Sequence, residues 1–244
     1  MDEQITPIFI PGLICTPDLF REQIAALDAF AAQHDRFVAP LIADTLSHDS
    51  ITGMAEAALA QTSGTLIAIG LSMGGYIAQE MAHLAPHRIA GMALLSTSYK
   101  ADDEAKQKQR RATIKMAHSD RFRGVTRHLL DSFLSAPALA DEALVERVMQ
   151  MAQDVGRHAF INQQTAILSR RDQRDTLRGF AGEALVLCGG EDSLTPPHLS
   201  TEMAAMIPQS DLLLLPEVGH LSSLEAPQAV SDALLALLGR VAAR

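Results

Sequence analysis

The chain has 244 residues, of which 48% are apolar and 20% are charged, and its formal net charge at pH 7 is −9. This length and composition are typical of one globular unit with a single large core, or with one core and a smaller lobe. The acidic balance argues against nucleic acids and anionic membranes as partners. Two cysteines, Cys15 and Cys188, are too few for a disulfide framework or a cysteine-rich metal site.

The sequence carries no sign of a targeting or membrane segment. Residues 1–3 are Met-Asp-Glu, and the first apolar run ends at Pro11-Gly12, which does not fit a signal peptide. No apolar run reaches the roughly 18 residues that a membrane-spanning helix requires. We therefore expect a cytoplasmic protein that acts on a small molecule without a membrane, a metal or a cofactor. The sequence leaves the oligomeric state open.

Signals for strands and helices alternate from the start of the chain to about residue 98. Apolar runs predict strands at Ile5–Ile10, 36–39, 66–69 and Ile89–Leu95. Capping residues and prolines predict helices that begin near Pro17, at Ile51 and directly after Ser72. This alternation is typical of a mostly parallel, twisted sheet with helices on its faces.

The strongest functional signal is the segment 65–78. Its apolar run leads into Gly-Leu-Ser-Met-Gly-Gly, residues 70–75, and a helical pattern follows. Gly-x-Ser-x-Gly between a strand and a helix is typical of a nucleophile elbow, in which a strained backbone makes the serine hydroxyl stand clear of the sheet. Gly70 and Gly74 leave room for the helix behind the strand. The structural alternative for Ser72 is a glycine-rich turn in a Rossmann-like unit.

The alternation stops between residues 99 and 182. This stretch has no convincing strand, and its patterns predict helices at 102–119, 121–134, 140–156 and 158–170. We predict an inserted helical cap over 99–182, between two parts of one core at 1–98 and 183–244.

After the predicted cap, strands are predicted at 184–188 and 212–215, and helices at Pro197–Met206 and 227–238. Asp192 and His220 each follow one of these strands by a few residues. Active sites in open α/β sheets gather at the carboxyl ends of the strands, so these two side chains are expected to meet Ser72 there. A serine becomes a nucleophile when a histidine that is oriented by a carboxylate takes its proton. A helix cap for Asp192 and a surface loop for His220 are the structural alternatives.

An oxyanion formed at Ser72 needs two backbone N–H donors. Met73 follows the nucleophile and supplies one. The loop after the first strand supplies the other, and we expect Leu13 because Pro11 has no N–H. Cys15, in the same loop, is interpreted as a packing residue.

Together these motifs resemble the α/β-hydrolase fold, and within it the small capped serine esterases and carbon–carbon bond hydrolases. The resemblance covers nearly the whole chain, and it implies that Ser72 is the nucleophile, Asp192 the acid and His220 the base. Most relatives have His-Gly where this chain has Pro11-Gly12. The chain also begins at what is the family's third strand, so we expect about six strands without the usual N-terminal hairpin.

The resulting hypothesis is hydrolysis of a small carboxylic ester through an acyl-enzyme, under an apolar roof that includes Met116, Phe122, Phe133 and Phe160. Three alternatives remain. A carbon–carbon bond hydrolase would bind a substrate carboxylate through Arg170 or Arg171. A cofactor-free lyase or oxygenase would use the histidine as base and the serine only for positioning. A ligand sensor on the same fold would bind without turnover.

Overall fold

In the computed structural model, residues 4–118 and 127–244 are described, without the side chains of 127–128. Their strands are β1 (Ile5–Ile10), β2 (Leu41–Ile42), β3 (Thr65–Leu71), β4 (Ile89–Leu95), β5 (Glu183–Gly189) and β6 (Ser210–Leu215). They form one sheet in the order β2-β1-β3-β4-β5-β6, and every neighbouring pair is parallel. The predicted parallel α/β sheet of about six strands is confirmed.

The predicted strand at 36–39 is wrong. In that segment Phe37 forms an isolated bridge with Ile5, and the paired strand β2 lies beyond Pro40. Proline has no N–H to donate to a ladder, so pairing is interrupted there and resumes where Leu41 faces Ile8.

The helices among the described residues are α1 (Arg21–Ala31), α2 (Ile51–Ala60), α3 (Met73–Leu84), α4 (Glu104–Ala117), α5 (Arg127–Leu130), α6 (Ala136–Leu139), α7 (Glu142–Leu168), α8 (Arg174–Gly179), α9 (Pro197–Met206), α10 (Ser222–Glu225) and α11 (Pro227–Ala242). Of these described helices, none combines the length and the apolar character needed to cross a bilayer.

The four central strands, β1, β3, β4 and β5, are buried on both faces, which explains why they read as continuous apolar runs. Successive side chains of a strand point to opposite faces. Phe9 and Ile69 accordingly join the core cluster that includes α1 and α11, whereas Ile8 and Ala68 join the cluster that includes α2 and α3.

Helices α4–α8 lie between β4 and β5, in the region predicted to be a cap. The helices predicted at 140–156 and 158–170 both lie within α7, whose helical backbone is broken at Gly156 (φ 71°, ψ 173°), where the prediction separates them. The short helix α8 was not predicted, and the predicted helix at 121–134 lies partly outside the described residues. The domain boundaries at 98/99 and 182/183 stay a prediction.

Candidate active site

Ser72 lies at the sharp turn between β3 and α3, and its backbone is in an unusual conformation. Its φ of 55° and ψ of −115° are rare for a residue with a side chain. Hydrogen bonds hold the residue on both sides: its N–H donates to the Leu95 carbonyl oxygen (2.9 Å), and its own carbonyl oxygen accepts from the Thr97 hydroxyl (2.7 Å) and the Gly75 N–H (2.9 Å). Such strain costs about 1–3 kcal/mol and is typical of functional sites.

The glycines of the motif allow the backbones of β1, β3 and α3 to pack closely behind Ser72. A Cβ atom on Gly70 would lie 2.2 Å from the Gly74 carbonyl oxygen, and one on Gly74 would lie 1.9 Å from the Ile10 carbonyl oxygen. Neither position can hold a larger residue unless the backbone moves. The interpretation of these glycines as space for close helix packing is therefore consistent with the structure.

Asp192 and His220 form a buried pair beyond the ends of β5 and β6. Asp192 Oδ2 lies 2.8 Å from His220 Nδ1, and both side chains are at most 4% exposed. The other carboxylate oxygen accepts hydrogen bonds from the N–H groups of Leu194 (3.0 Å) and Thr195 (2.9 Å). Helix α9 begins later, at Pro197, so the carboxylate stabilises this turn and does not cap that helix.

The environment keeps the Asp192 carboxyl ionised. Burial acts to raise its pKa, but the hydrogen bond and charge of His220 and the bonds from Thr195 outweigh burial, so the pKa lies below its ordinary value. The Thr195 hydroxyl donates to Oδ2 (2.7 Å) and also lies 3.4 Å from His220 Nδ1. Sequence reasoning missed Thr195, although an Asp followed three residues later by a hydroxyl side chain is a recognisable turn pattern.

His220 is also fixed through its backbone. Its N–H donates to the Phe133 carbonyl oxygen (2.9 Å), which ties the loop after β6 to the segment that precedes α6. The preceding residue, Gly219, donates its N–H to Glu225 Oε2 (2.9 Å), and the same oxygen accepts from the Ser135 N–H (3.0 Å). Glu225 was not predicted as part of the site; Gly219 is six positions from it, but its second partner, Ser135, is 90 positions away.

A cavity of about 800 Å³ brings the predicted residues together. Ser72 and His220 both line it, and the buried Asp192 contacts His220. Of the four side chains predicted to roof the site, Phe133 and Phe160 line the cavity. Met116 is 58% exposed and is not among the described residues around it, whereas Phe122 lies outside the described residues.

The two predicted oxyanion donors lie beside Ser72. Met73 is the first residue of α3, so its N–H has no intrahelical acceptor. Leu13 lines the cavity, and its neighbour Gly12 packs so closely that a Cβ atom there would lie 3.6 Å from Ser72 Cβ. The roles of Leu13 and Met73 stay predictions.

A glutamine of α7 braces the loop that carries Leu13. Gln163 Oε1 accepts from the Ile14 N–H (2.9 Å), and its Nε2 donates to the Thr45 carbonyl oxygen (3.1 Å). Ile14 has a positive φ of 57°, so this hydrogen bond supports a strained residue. This contact holds the loop that follows β1 and carries Pro11 and Leu13.

Neither cysteine is poised to act as a nucleophile. Burial raises the pKa of the Cys15 thiol to about 12. Burial, together with the charge of Asp192, raises the pKa of Cys188 to about 12 as well. Since the thiolate is the reactive form, both groups are inert at neutral pH.

Comparison with known proteins identifies a matching family and several relatives of this chain. The sequence profile of the alpha/beta hydrolase family matches residues 8–233. A putative non-heme bromoperoxidase, BpoC, from Mycobacterium tuberculosis is 29% identical over 181 residues, which cover 72% of this chain and 68% of that protein. A pimeloyl-[acyl-carrier protein] methyl ester esterase from Cronobacter sakazakii is 26% identical over 196 residues, which cover 78% and 76%.

The fold is shared with solved structures. A thermophilic esterase from Thermogutta terrifontis superposes with a TM-score of 0.84 at 22% sequence identity, and the match covers 98% of this chain and 91% of that one. An enol-lactonase from Burkholderia xenovorans superposes with a TM-score of 0.78 at 18% identity, over 97% and 92% of the two chains. The resemblance that the motifs indicated is confirmed, and the chain belongs to the alpha/beta hydrolase family of enzymes.

Proposed function

We propose that this protein is a serine hydrolase that cleaves a small carboxylic ester through an acyl-enzyme at Ser72. The observation that carries the proposal is the buried His220–Asp192 pair, whose imidazole lines the same cavity as the strained serine. A histidine with one ring nitrogen on a carboxylate is held in the tautomer that leaves the other nitrogen free to accept a proton.

In this mechanism His220 Nε2 takes the proton of the Ser72 hydroxyl as its oxygen attacks the ester carbonyl. The N–H groups of Leu13 and Met73 stabilise the tetrahedral oxyanion. His220 then protonates the leaving alcohol, and a water molecule repeats the cycle on the acyl-enzyme. Asp192 stays ionised throughout, which its lowered pKa favours, and stabilises the imidazolium.

The relatives support an ester as the substrate. The Cronobacter sakazakii relative is named as a methyl ester esterase, and the Thermogutta terrifontis structure is that of an esterase. The aromatic rings of Phe133 and Phe160 give the cavity an apolar part suited to an acyl or alcohol group.

The proposal is tested with p-nitrophenyl esters of increasing chain length. We expect Ser72→Ala and His220→Ala each to lower kcat by about 10⁴–10⁶-fold. Ser132→Ala is the matched control, because Ser132 lines the same cavity but has no part in the mechanism, and we expect its kcat to change by less than about threefold.

Other outcomes point to the alternatives. A folded Ser72→Ala variant with near-normal ester hydrolysis would refute the proposal. Activity that survives Ser72→Ala but not His220→Ala would indicate a lyase or oxygenase. Cleavage of vinylogous diketone acids without cleavage of esters would indicate a carbon–carbon bond hydrolase, and tight binding without turnover would indicate a sensor.

A further inference from the structure

The loop that carries His220, between β6 and α10, is held by backbone hydrogen bonds to a segment that comes much earlier in the chain. The N–H groups of His220 (2.9 Å) and Leu221 (3.2 Å) both donate to the Phe133 carbonyl oxygen. The N–H group of Gly219 donates to Glu225 Oε2 (2.9 Å). Three successive N–H groups of the loop are therefore bound, and Phe133 supplies the acceptor for two of them.

Glu225 joins the His220 loop to the same segment at a second point. Its Oε2 also accepts from the N–H group of Ser135 (3.0 Å), so one carboxylate oxygen binds both stretches of chain. Ser135 and Gly219 are buried, and a buried N–H group needs an acceptor. Because this acceptor is a carboxylate, both hydrogen bonds are charge-assisted and stronger than bonds to a neutral oxygen.

Glycine at position 219 allows these groups to approach one another. A Cβ atom there would lie 2.6 Å from the Ser135 N atom and 2.9 Å from Glu225 Oε1. Both distances are too short for a real side chain, so any larger residue would push Glu225 and Ser135 away from the loop. The junction of these three residues is therefore tightly packed and leaves the loop little room to shift.

Glu225 lies apart from the reacting atoms. It is not among the described residues around the cavity that holds Ser72, whereas Phe133 and His220 are. The His220 ring is held at Nδ1 by its 2.8 Å hydrogen bond with Asp192 Oδ2. A bond at one ring nitrogen leaves the opposite nitrogen, Nε2, free to swing, so the direction of Nε2 depends also on where the backbone of His220 is held.

We infer that Glu225 is a positioning residue for the base: its carboxylate fastens the His220 loop to the segment 133–135 and thereby directs Nε2 toward the Ser72 hydroxyl. This inference rests on the proposed function. Phe133 couples the base to the cavity, because its carbonyl oxygen holds His220 and its side chain lines the cavity. The region between β4 and β5 thus helps to place the base as well as to form the cavity.

A purely structural role for Glu225 has a different signature. If the carboxylate only satisfied two buried N–H groups, its loss would lower the free energy of unfolding and leave the turnover of the folded protein unchanged. If it positions the base, its loss lowers kcat far more than it changes KM, since displacement of a catalytic group by about 1 Å can cost about 100-fold in rate.

The test measures kcat and KM for p-nitrophenyl acetate in variants of Glu225. Glu225→Met keeps the length of the side chain without the acceptor, and we expect kcat to fall about 10–100-fold while KM stays within about threefold of the wild type. Glu225→Gln keeps an oxygen that can accept both N–H groups, so it should retain kcat within about fivefold. Folding is checked by circular dichroism. If Glu225→Met does not fold, Glu225→Asp, whose carboxylate is one methylene group shorter, takes its place with the same expected fall in kcat.

Arg147→Met is the matched control. Arg147 lies in α7 and binds Asp18 (2.7 Å) and Glu22 (2.8 Å), so its loss also removes contacts between the region after β4 and the first part of the chain, but its partners are not in the His220 loop. We expect a lower unfolding midpoint and a kcat within about twofold of the wild type. An equal fall of kcat in Arg147→Met and Glu225→Met would overturn the inference, because general loosening would explain both.

Proton NMR separates this inference from the proposed function, because it needs no turnover. The proton between His220 Nδ1 and Asp192 Oδ2 is buried and should give a low-field resonance that is absent from His220→Ala. We expect this resonance to be unchanged in Glu225→Gln and Arg147→Met, and shifted or broadened in Glu225→Met, which would support the positioning role even if no ester is cleaved. An unchanged kcat in folded Glu225→Met, or a loss confined to KM, would overturn the inference and leave ester hydrolysis standing.

Discussion

Replacing Ser72 by glycine should give a more stable protein than replacing it by alanine, although both changes abolish catalysis. The backbone at this position has a φ of 55° and a ψ of −115°, a conformation that glycine adopts without the penalty that a Cβ atom brings. In an ordinary helix or strand the order is the reverse, because glycine loses more conformational freedom on folding than alanine does.

The size of the difference follows from two opposing contributions. Relief of strain raises the free energy of unfolding by about 1–3 kcal/mol, and the greater flexibility of glycine in the unfolded chain lowers it by about 0.5–1 kcal/mol. We expect the free energy of unfolding of Ser72→Gly to exceed that of Ser72→Ala by about 1 kcal/mol. For a protein of this size that corresponds to a difference of about 2–4 °C in Tm.

The assay is urea unfolding of both variants at pH 7. The dependence of the free energy of unfolding on urea concentration must be the same for both variants, because only then does a shift of the midpoint report a difference in stability. Ala112→Gly is the control, since Ala112 lies exposed within α4 and glycine there should cost about 1 kcal/mol. If Ser72→Ala is as stable as Ser72→Gly, or more stable, the turn is not strained and this reasoning is wrong.

Three further predictions concern the support of the site. Thr195→Val removes the hydroxyl that donates to Asp192 Oδ2 and should lower the free energy of unfolding by about 1–2 kcal/mol at pH 7. Because folding lowers the Asp192 pKa, this loss should be constant above the pKa of the unfolded carboxyl, about 3.9, and shrink as the pH falls toward the folded value; a loss that grows in acid, measured by urea unfolding at several pH values, would contradict it. Gln163→Leu should lower kcat for p-nitrophenyl acetate about tenfold with little change in KM, because the loop that carries Leu13 loses its brace; a change confined to KM would argue against that role. Gly74→Ala should prevent folding or cost more than about 3 kcal/mol in thermal unfolding, whereas Gly239→Ala, where a Cβ atom meets nothing within 4 Å, should be tolerated, and equal effects would count against the packing argument.

The sheet and its order of elements could be predicted because β strands buried on both faces leave continuous apolar runs, and because glycine and proline mark their ends. The predicted strand at 36–39 failed because an apolar run does not reveal how far the backbone pairing extends, and here it is limited to a single bridge between Phe37 and Ile5. In the structure, Pro40 separates that run from the two-residue strand Leu41–Ile42. Local sequence therefore identifies long strands well, including β6 at one edge of the sheet, and fails for β2 at the other edge, which has only two residues.

The candidate site was predictable where chemistry is concentrated in local motifs. Ser72 is marked by its glycines, and Asp192 and His220 by their positions after strands. Thr195 supports Asp192 from three residues away and was missed, whereas other supporting residues were not predictable because their contacts join distant segments. Gln163 contacts Ile14 across 149 positions, and Glu225 contacts Ser135 across 90 positions.

The acyl-enzyme at Ser72 is tested most directly by stoichiometric labelling with a fluorophosphonate, followed by mass mapping of the peptides. We predict one label per chain, on Ser72, acquired at the rate at which ester hydrolysis is lost, and almost no labelling of the His220→Ala variant. Complete inactivation with the label on another residue, or full esterase activity in a protein that the reagent does not label, would contradict the proposed mechanism.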